Sequence, residues 1–194
     1  MSHMNFQLTL SKALINTPIG QMQAVADDKA LYVLGFLERN DLGRELEILR
    51  LKTRSVIVSG RTIITELLEQ ELALYFAGGL WEFKTPLCMT GTPFQKSVWQ
   101  MLHNIPCGQT WSYAQLAAAL GKPSAFRAVA QANSANLLGI IVPCHRVINT
   151  NGGLGGYNGS VARKEWLLGH EKINALHGKK ANGKADIEAN KRIS

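Results

Sequence analysis

The chain has 194 residues, 46% hydrophobic and 18% charged, with 21 Lys and Arg against 14 Asp and Glu for a formal net charge of +7. That length suits one or two compact domains, and that composition excludes a wholly disordered protein. No apolar run reaches the roughly 20 residues of a membrane span, while the basic balance favours a polyanionic partner without identifying one.

At the N-terminus, Met1-Ser2-His3 reads as a cloning remnant ahead of a start at Met4, and Asn5–Thr9 is too polar for a signal peptide. Cys88, Cys107 and Cys144 form no CxxC pair, which argues against a disulfide framework and against a Cys-rich zinc site. We therefore expect a reduced, cytoplasmic protein with free thiols.

Leu8–Ile15, Gln21–Ala26 and Leu31–Leu37 read as strands separated by Thr17-Pro18-Ile19-Gly20 and Asp27-Asp28-Lys29. Those turn compositions predict an antiparallel meander. Leu68, Leu72, Tyr75 and Phe76 recur at helical spacing within Thr65–Phe76, before Gly78-Gly79. This half gathers no chemical groups and reads as a scaffold.

A boundary falls near Lys84–Gly91. Thr92-Pro93 then opens a helix as a cap followed by Pro at the first position. Phe94, Val98, Met101, Leu102 and Ile105 form its core-facing stripe, and Pro106 with Gly108 stops it. Ser112–Leu120 and Ala125–Ala135 follow as two short Ala-rich helices around Gly121-Lys122-Pro123-Ser124, the helix-turn-helix pattern, with Ser124 expected as the second N-cap. Most helical hairpins do not bind DNA. Here the alanines leave the second helix slim enough for a groove, and Arg127 projects from its first turn.

The most informative stretch is Pro143-Cys144-His145, entered from the apolar run Ile140–Val142. A thiolate is the reactive form of Cys, and an adjacent imidazole is what an activated nucleophile needs. An isolated Cys-His pair is equally compatible with a buried structural Cys. Beyond it, Asn151–Gly159 is glycine-rich but lacks the Lys-Ser/Thr of a phosphate loop, so it suits close approach to a flat ligand, with Tyr157 as a ring to stack. Ser160 caps a last helix from Val161 to about Glu171, and residues 175–194 read as a mobile basic tail.

Phe94–Trp99, Ile105-Pro106-Cys107-Gly108, Ser112-Tyr113, Gly121-Lys122-Pro123, Arg127–Ala130, Pro143–Ile148, Leu154–Tyr157 and Lys164–Leu168 together resemble the O6-alkylguanine-DNA alkyltransferases, in the same order. The resemblance is strong over Gly91–Glu171 and loose over the first ninety residues. It implies an α/β N-terminal domain (1–90, ribonuclease H-like, antiparallel sheet plus helix), then a mostly helical domain (91–174) with a helix-turn-helix.

It also implies roles. Cys144 would accept the alkyl group, and His145, oriented by Glu171, would draw off the thiol proton through a water. Asn136 would hold backbone near the Cys, and Tyr113 would crowd the target phosphate and hydrogen-bond the departing guanine. Arg127 would enter the stack, with Tyr113, Ala114, Lys122, Ser124 and Thr150 also on DNA. Val147, through its backbone, and Tyr157, Asn158 and Gly159 would line the base pocket. The chain departs from the family pattern at Leu137, where Pro is common, and at Asn158, where Ser or Arg is frequent. The zinc ligands of some vertebrate members have no counterpart, and the chain carries no ATP or nicotinamide motif, so no metal and no cofactor are expected.

The implied protein is a monomer that binds double-stranded DNA through the minor groove and takes one alkyl group, from O6-alkylguanine or O4-methylthymine, in a suicidal reaction. The alternative is a non-catalytic alkyl-lesion-binding protein, which would lack the acceptor Cys. A Cys-His-Glu hydrolase would leave the helical hairpin and the basic charge unexplained.

Overall fold

The computed structural model describes residues 8–190. β1 (Leu8–Thr17), β2 (Gly20–Ala26) and β3 (Leu31–Phe36) form the antiparallel meander that their turns predict. Asp27 closes the second turn, its Oδ1 accepting from the backbone N–H groups of Lys29 and Ala30 at 2.8 Å each. Alternation sends Ile15, Met22 and Ala24 to one face of the sheet and Leu10, Val25 and Val33 to the other.

The expectation of a purely antiparallel sheet fails at the fourth strand. After β3 come α1 (Leu42–Thr53) and β4 (Ser55–Ser59), which pairs parallel to β1, so the sheet is mixed in the order β3-β2-β1-β4. A helical crossover is what a parallel pairing requires. In α1 only Leu42 and Leu49 are buried, and the charges interspersed between them mask its stripe in the sequence.

α2 (Ile63–Phe76) starts at a reciprocal cap between Thr62 and Thr65 and buries Leu68, Leu72 and Tyr75. α3 (Pro93–Leu102) has the cap predicted at Thr92, completed by Gln95. A short β5 (Trp111–Ser112) leads into α4 (Tyr113–Ala119), and a 3-10 turn at Pro123–Ala125 leads into α5 (Phe126–Ser134). Gly121 turns the chain after α4 at φ +70°, where a side chain would be strained. Ser124 is not the N-cap of α5: it lies inside the 3-10 turn, and Ala125 precedes the helix with no side-chain cap. The 3-10 turn that begins at Pro123 moves the helix start by one residue, from Ala125 to Phe126.

β6 (Val147–Ile148) pairs with β5, and α6 (Val161–Asn190) follows. α6 continues past Glu171, where the sequence reading ends it; Lys and Ala in that stretch are good helix formers despite its polarity. Residues 1–7, with the expected cloning remnant, and the last residues of the basic tail, 191–194, lie outside the described residues. Among the described residues no helix is long and apolar enough to cross a membrane.

One core runs from Ile15 and Leu34 through Trp99 and Val129 to Val142, Cys144 and Leu167. The outer edge of β3 is covered by chain from the second half. Leu31 N donates to Pro86 O at 2.8 Å, Leu34 N to Leu137 O at 2.7 Å, and Gly139 N to Leu34 O at 2.9 Å. The sheet thereby holds the segment that leads to Cys144.

Candidate active site

Cys144 begins a 3-10 turn, Cys144–Arg146, directly after Pro143. The approach to it is strained: Ile140, β-branched and buried, has φ +72°. Gly139 N bonded to Leu34 O and Val142 N bonded to Leu138 O at 2.9 Å hold that conformation.

Two asparagines tie the turn to the end of α5. Asn136 donates from Nδ2 to Val142 O at 2.9 Å and to Cys144 Sγ at 3.2 Å, while its Oδ1 accepts from Leu138 N at 2.9 Å. Asn133 donates from Nδ2 to Cys144 O at 3.3 Å. Burial pushes the Cys144 thiol above its ordinary pKa, and the Asn136 hydrogen bond and the Lys164 charge oppose that push. The resting sulfur is therefore a protonated thiol.

His145 is fully buried, and its Nε2 lies 2.8 Å from Glu171 Oε1. A carboxylate only accepts, so Nε2 carries the hydrogen and Nδ1 keeps its lone pair. Nδ1 is buried with no hydrogen-bond partner among the described residues. Burial holds the imidazole below its ordinary pKa, with Glu171 pulling the other way. A neutral imidazole with a bare Nδ1 is set to accept a proton.

Glu171 is the hub beneath it. Arg146 donates to both its oxygens, from Nε at 2.8 Å and Nη2 at 2.9 Å, and Tyr75 of α2 donates its hydroxyl at 2.9 Å. Burial alone would raise the Glu171 pKa, but His145 and Arg146 outweigh it and hold the carboxyl far below the usual range. Cys107, close to the same carboxylate, is pushed up to about 12 by burial and by Glu171, which leaves it unreactive.

Lys164 is the functional side chain the sequence reading passes over. It is fully buried, and Nζ donates to Val147 O at 2.6 Å and Gly156 O at 3.4 Å. Burial lowers its pKa to about 8, and Cys144 works against that. Its spacing was a usable signal, since Lys164, Leu167 and Glu171 share the buried face of α6.

Asn136, Cys144, Tyr157, Asn158 and Gly159 line one small pocket, together with Gly35 and Arg39. Gly159 is required there, because a Cβ would come within 2.6 Å of Phe36 and Tyr157. The Asn158 amide donates to Ser134 O at the end of α5. Val147, expected in the same pocket, is not among the residues that line it; it is fully buried, with its carbonyl engaged by Lys164. A larger cleft of about 170 Å³ between α1 and α3 is lined by Ile48, Leu49 and Trp99, and it offers no Cys or Ser nucleophile.

Tyr113 opens α4 and is half-buried, its phenol pushed up by burial and then by Cys144. Ala114, Lys122, Ser124 and Arg127 are exposed along the α4–α5 hairpin. The parallel pairing Trp111–Val147 and Ser112–Ile148 brings the exposed Thr150 out at the same end as Tyr113 and Ala114. The guanidinium of Arg127 lies 5.7 Å from the ring centre of the exposed Phe126. Among the described residues no three His, Cys, Asp or Glu side chains cluster as metal ligands do.

The family described as 6-O-methylguanine DNA methyltransferase, DNA binding domain, matches residues 93–173. A methylated-DNA–protein-cysteine methyltransferase of Methanosarcina barkeri is 39% identical over 161 residues, covering 83% of this chain and 96% of that protein. Its namesake in Salmonella typhimurium is 60% identical over 105 residues, covering 54% of this chain; the match spans 61% of that relative's length. Among solved structures, Mycobacterium tuberculosis OGT in complex with DNA superposes with a TM-score of 0.73 at 36% identity, covering 86% of this chain and 94% of that one.

Proposed function

The chain belongs to the O6-methylguanine-DNA methyltransferase family, and from that membership we propose that it repairs DNA by moving the alkyl group of O6-alkylguanine irreversibly onto Cys144. O4-methylthymine is the second substrate of the same pocket. The observation that carries the reading is a thiol held by Asn136 beside a neutral His145 whose free Nδ1 is fixed by the bond of Nε2 to Glu171.

The target carbon lies within the base stack, so the nucleotide must leave it. We read α4 and α5 as a helix-turn-helix that enters the minor groove, with Arg127 filling the vacated place and Ala114, Lys122, Ser124 and Thr150 along the backbone. The thiol proton passes to His145 Nδ1 through a bridging water. The sulfur then attacks the alkyl carbon, an S–C bond forms, the C–O6 bond breaks, and the electron pair goes to guanine. Tyr113 offers its O–H to that departing base, and Val147, Tyr157, Asn158 and Gly159 receive it. Lys164, a buried cation, favours the thiolate while it lasts.

The product is a thioether, which water does not cleave, so each molecule acts once. On this reading the first ninety residues are a ribonuclease H-like scaffold, the protein works as a cytoplasmic monomer, and the basic stretch after residue 174 adds nonspecific attraction to DNA. Titrating the protein against a duplex carrying one O6-methylguanine tests it. Restored guanine should plateau at one per protein. Repeated turnover, or binding without any restored guanine, contradicts it, the latter in favour of a lesion-binding protein.

A further inference from the structure

The N-terminal half contributes one charged side chain to the acceptor pocket. Arg39, three residues beyond β3, lines the same space as Cys144, Tyr157 and Gly159. Its guanidinium is fixed in place. Nε donates to Asp41 at 3.1 Å, Nη2 donates to Glu45 at 2.6 Å, and the side chain is only 5% exposed. Both carboxylates belong to the start of α1, so the fork is anchored to a helix. Below it lies Gly35, where a Cβ would sit 3.5 Å from Nη1. The charge reaches into the pocket: burial and the Cys144 sulfur push the Tyr157 phenol up, while Arg39 opposes them.

In the alkyl-transfer reading above, on which this inference rests, the reacting carbon must touch Cys144 Sγ. Whatever is attached beyond that carbon must then lie among the residues that line the same small pocket. A methyl group has nothing beyond it. An n-butyl group sets three further carbons against a cation that they cannot hydrogen-bond and that two carboxylates hold from moving. Gly159 leaves little room either, because even a Cβ there would come within 2.6 Å of Phe36 and Tyr157.

We propose that Arg39 is a specificity-determining wall that restricts the acceptor pocket to short O6-alkyl groups. The half of the chain without the nucleophile thereby sets the substrate range.

The test compares single-turnover rates on two duplexes of identical sequence, one carrying O6-methylguanine and one O6-butylguanine, and reads the butyl-to-methyl ratio. Arg39→Ala should raise that ratio at least tenfold, and Arg39→Met, which keeps a long unbranched side chain but loses the charge and both ion pairs, should raise it less. Thermal melting establishes that each variant is folded, and Arg39→Met decides the matter should Arg39→Ala not fold. A ratio within twofold of the native value in the folded variants overturns the inference. Absence of methyl transfer by the native protein instead removes the alkyl-transfer reading, and this inference with it.

Discussion

The Lys164 ammonium lies 2.6 Å from the carbonyl oxygen of Val147, with its whole side chain withdrawn from solvent. Its pKa, lowered to about 8 chiefly by burial, leaves it charged at neutral pH beside a thiol whose ionisation it favours. Lys164→Met should therefore slow methyl transfer roughly tenfold at neutral pH, because the thiolate loses a cation that favours it. The rising limb of its pH–rate profile should move to higher pH. A slower variant with an unmoved profile would reduce Lys164 to a packing role.

The same shift has a stability consequence. An unfolded Lys holds its proton up to about 10.5, whereas the buried one releases it near 8. Between those values the unfolded chain binds more protons, so this residue makes stability rise with pH across that window. Urea unfolding at both ends of the window should show a smaller rise for Lys164→Met than for the native protein.

Glu171 titrates in the opposite sense. Its folded pKa lies far below the ordinary 4.5, so its contribution is complete above that value and is lost as the pH falls below it. Glu171→Gln should flatten the acid side of the stability curve, measured by melting between pH 5 and 3. It should also cost roughly 3 kcal/mol near neutrality, since it leaves the Arg146 charge buried without its partner. Transfer should slow with it, because the Gln side chain no longer fixes which His145 nitrogen is bare.

Asn136→Ala removes the partner of two buried backbone groups, Val142 O and Leu138 N, together with the contact to sulfur. A loss of about 2 kcal/mol in urea unfolding is expected, at about 1–3 kcal/mol for a buried group left unsatisfied. Methyl transfer at saturating DNA should fall as well, with DNA affinity retained.

Arg127→Ala should slow transfer on duplex DNA roughly ten- to hundredfold, since unstacking a base costs a few kcal/mol. On a single-stranded oligonucleotide, where no vacancy needs filling, the loss should be far smaller. Paired single-turnover measurements on the two substrates check this. Equal losses on both would make Arg127 an ordinary phosphate contact.

Much of the site was legible because its chemistry lies in short runs and regular spacings. Pro143-Cys144-His145 is contiguous, the Thr92-Pro93 cap marks α3, and Glu171 falls on the buried stripe of α6. Lys164 lies on that stripe too, yet a sequence does not say that Val147 O and Gly156 O wait at its tip. Tyr75 reads as an ordinary core position of α2, and its bond to Glu171 spans 96 residues. Arg39 left no trace, because its place in the pocket depends on chain from both halves meeting at the edge of β3. The parallel strand β4 was hidden for a related reason. Its five residues are half exposed, so they carry no clear alternation, and the crossover helix before them is weakly amphipathic.

The most direct test is the mass of the protein after incubation with a duplex bearing one O6-methylguanine, followed by peptide mapping. The account predicts a stoichiometric gain of one methylene on the peptide that contains Cys144, and none in Cys144→Ser. A methyl group on Cys88 or Cys107, or unchanged protein beside repaired DNA, would contradict it.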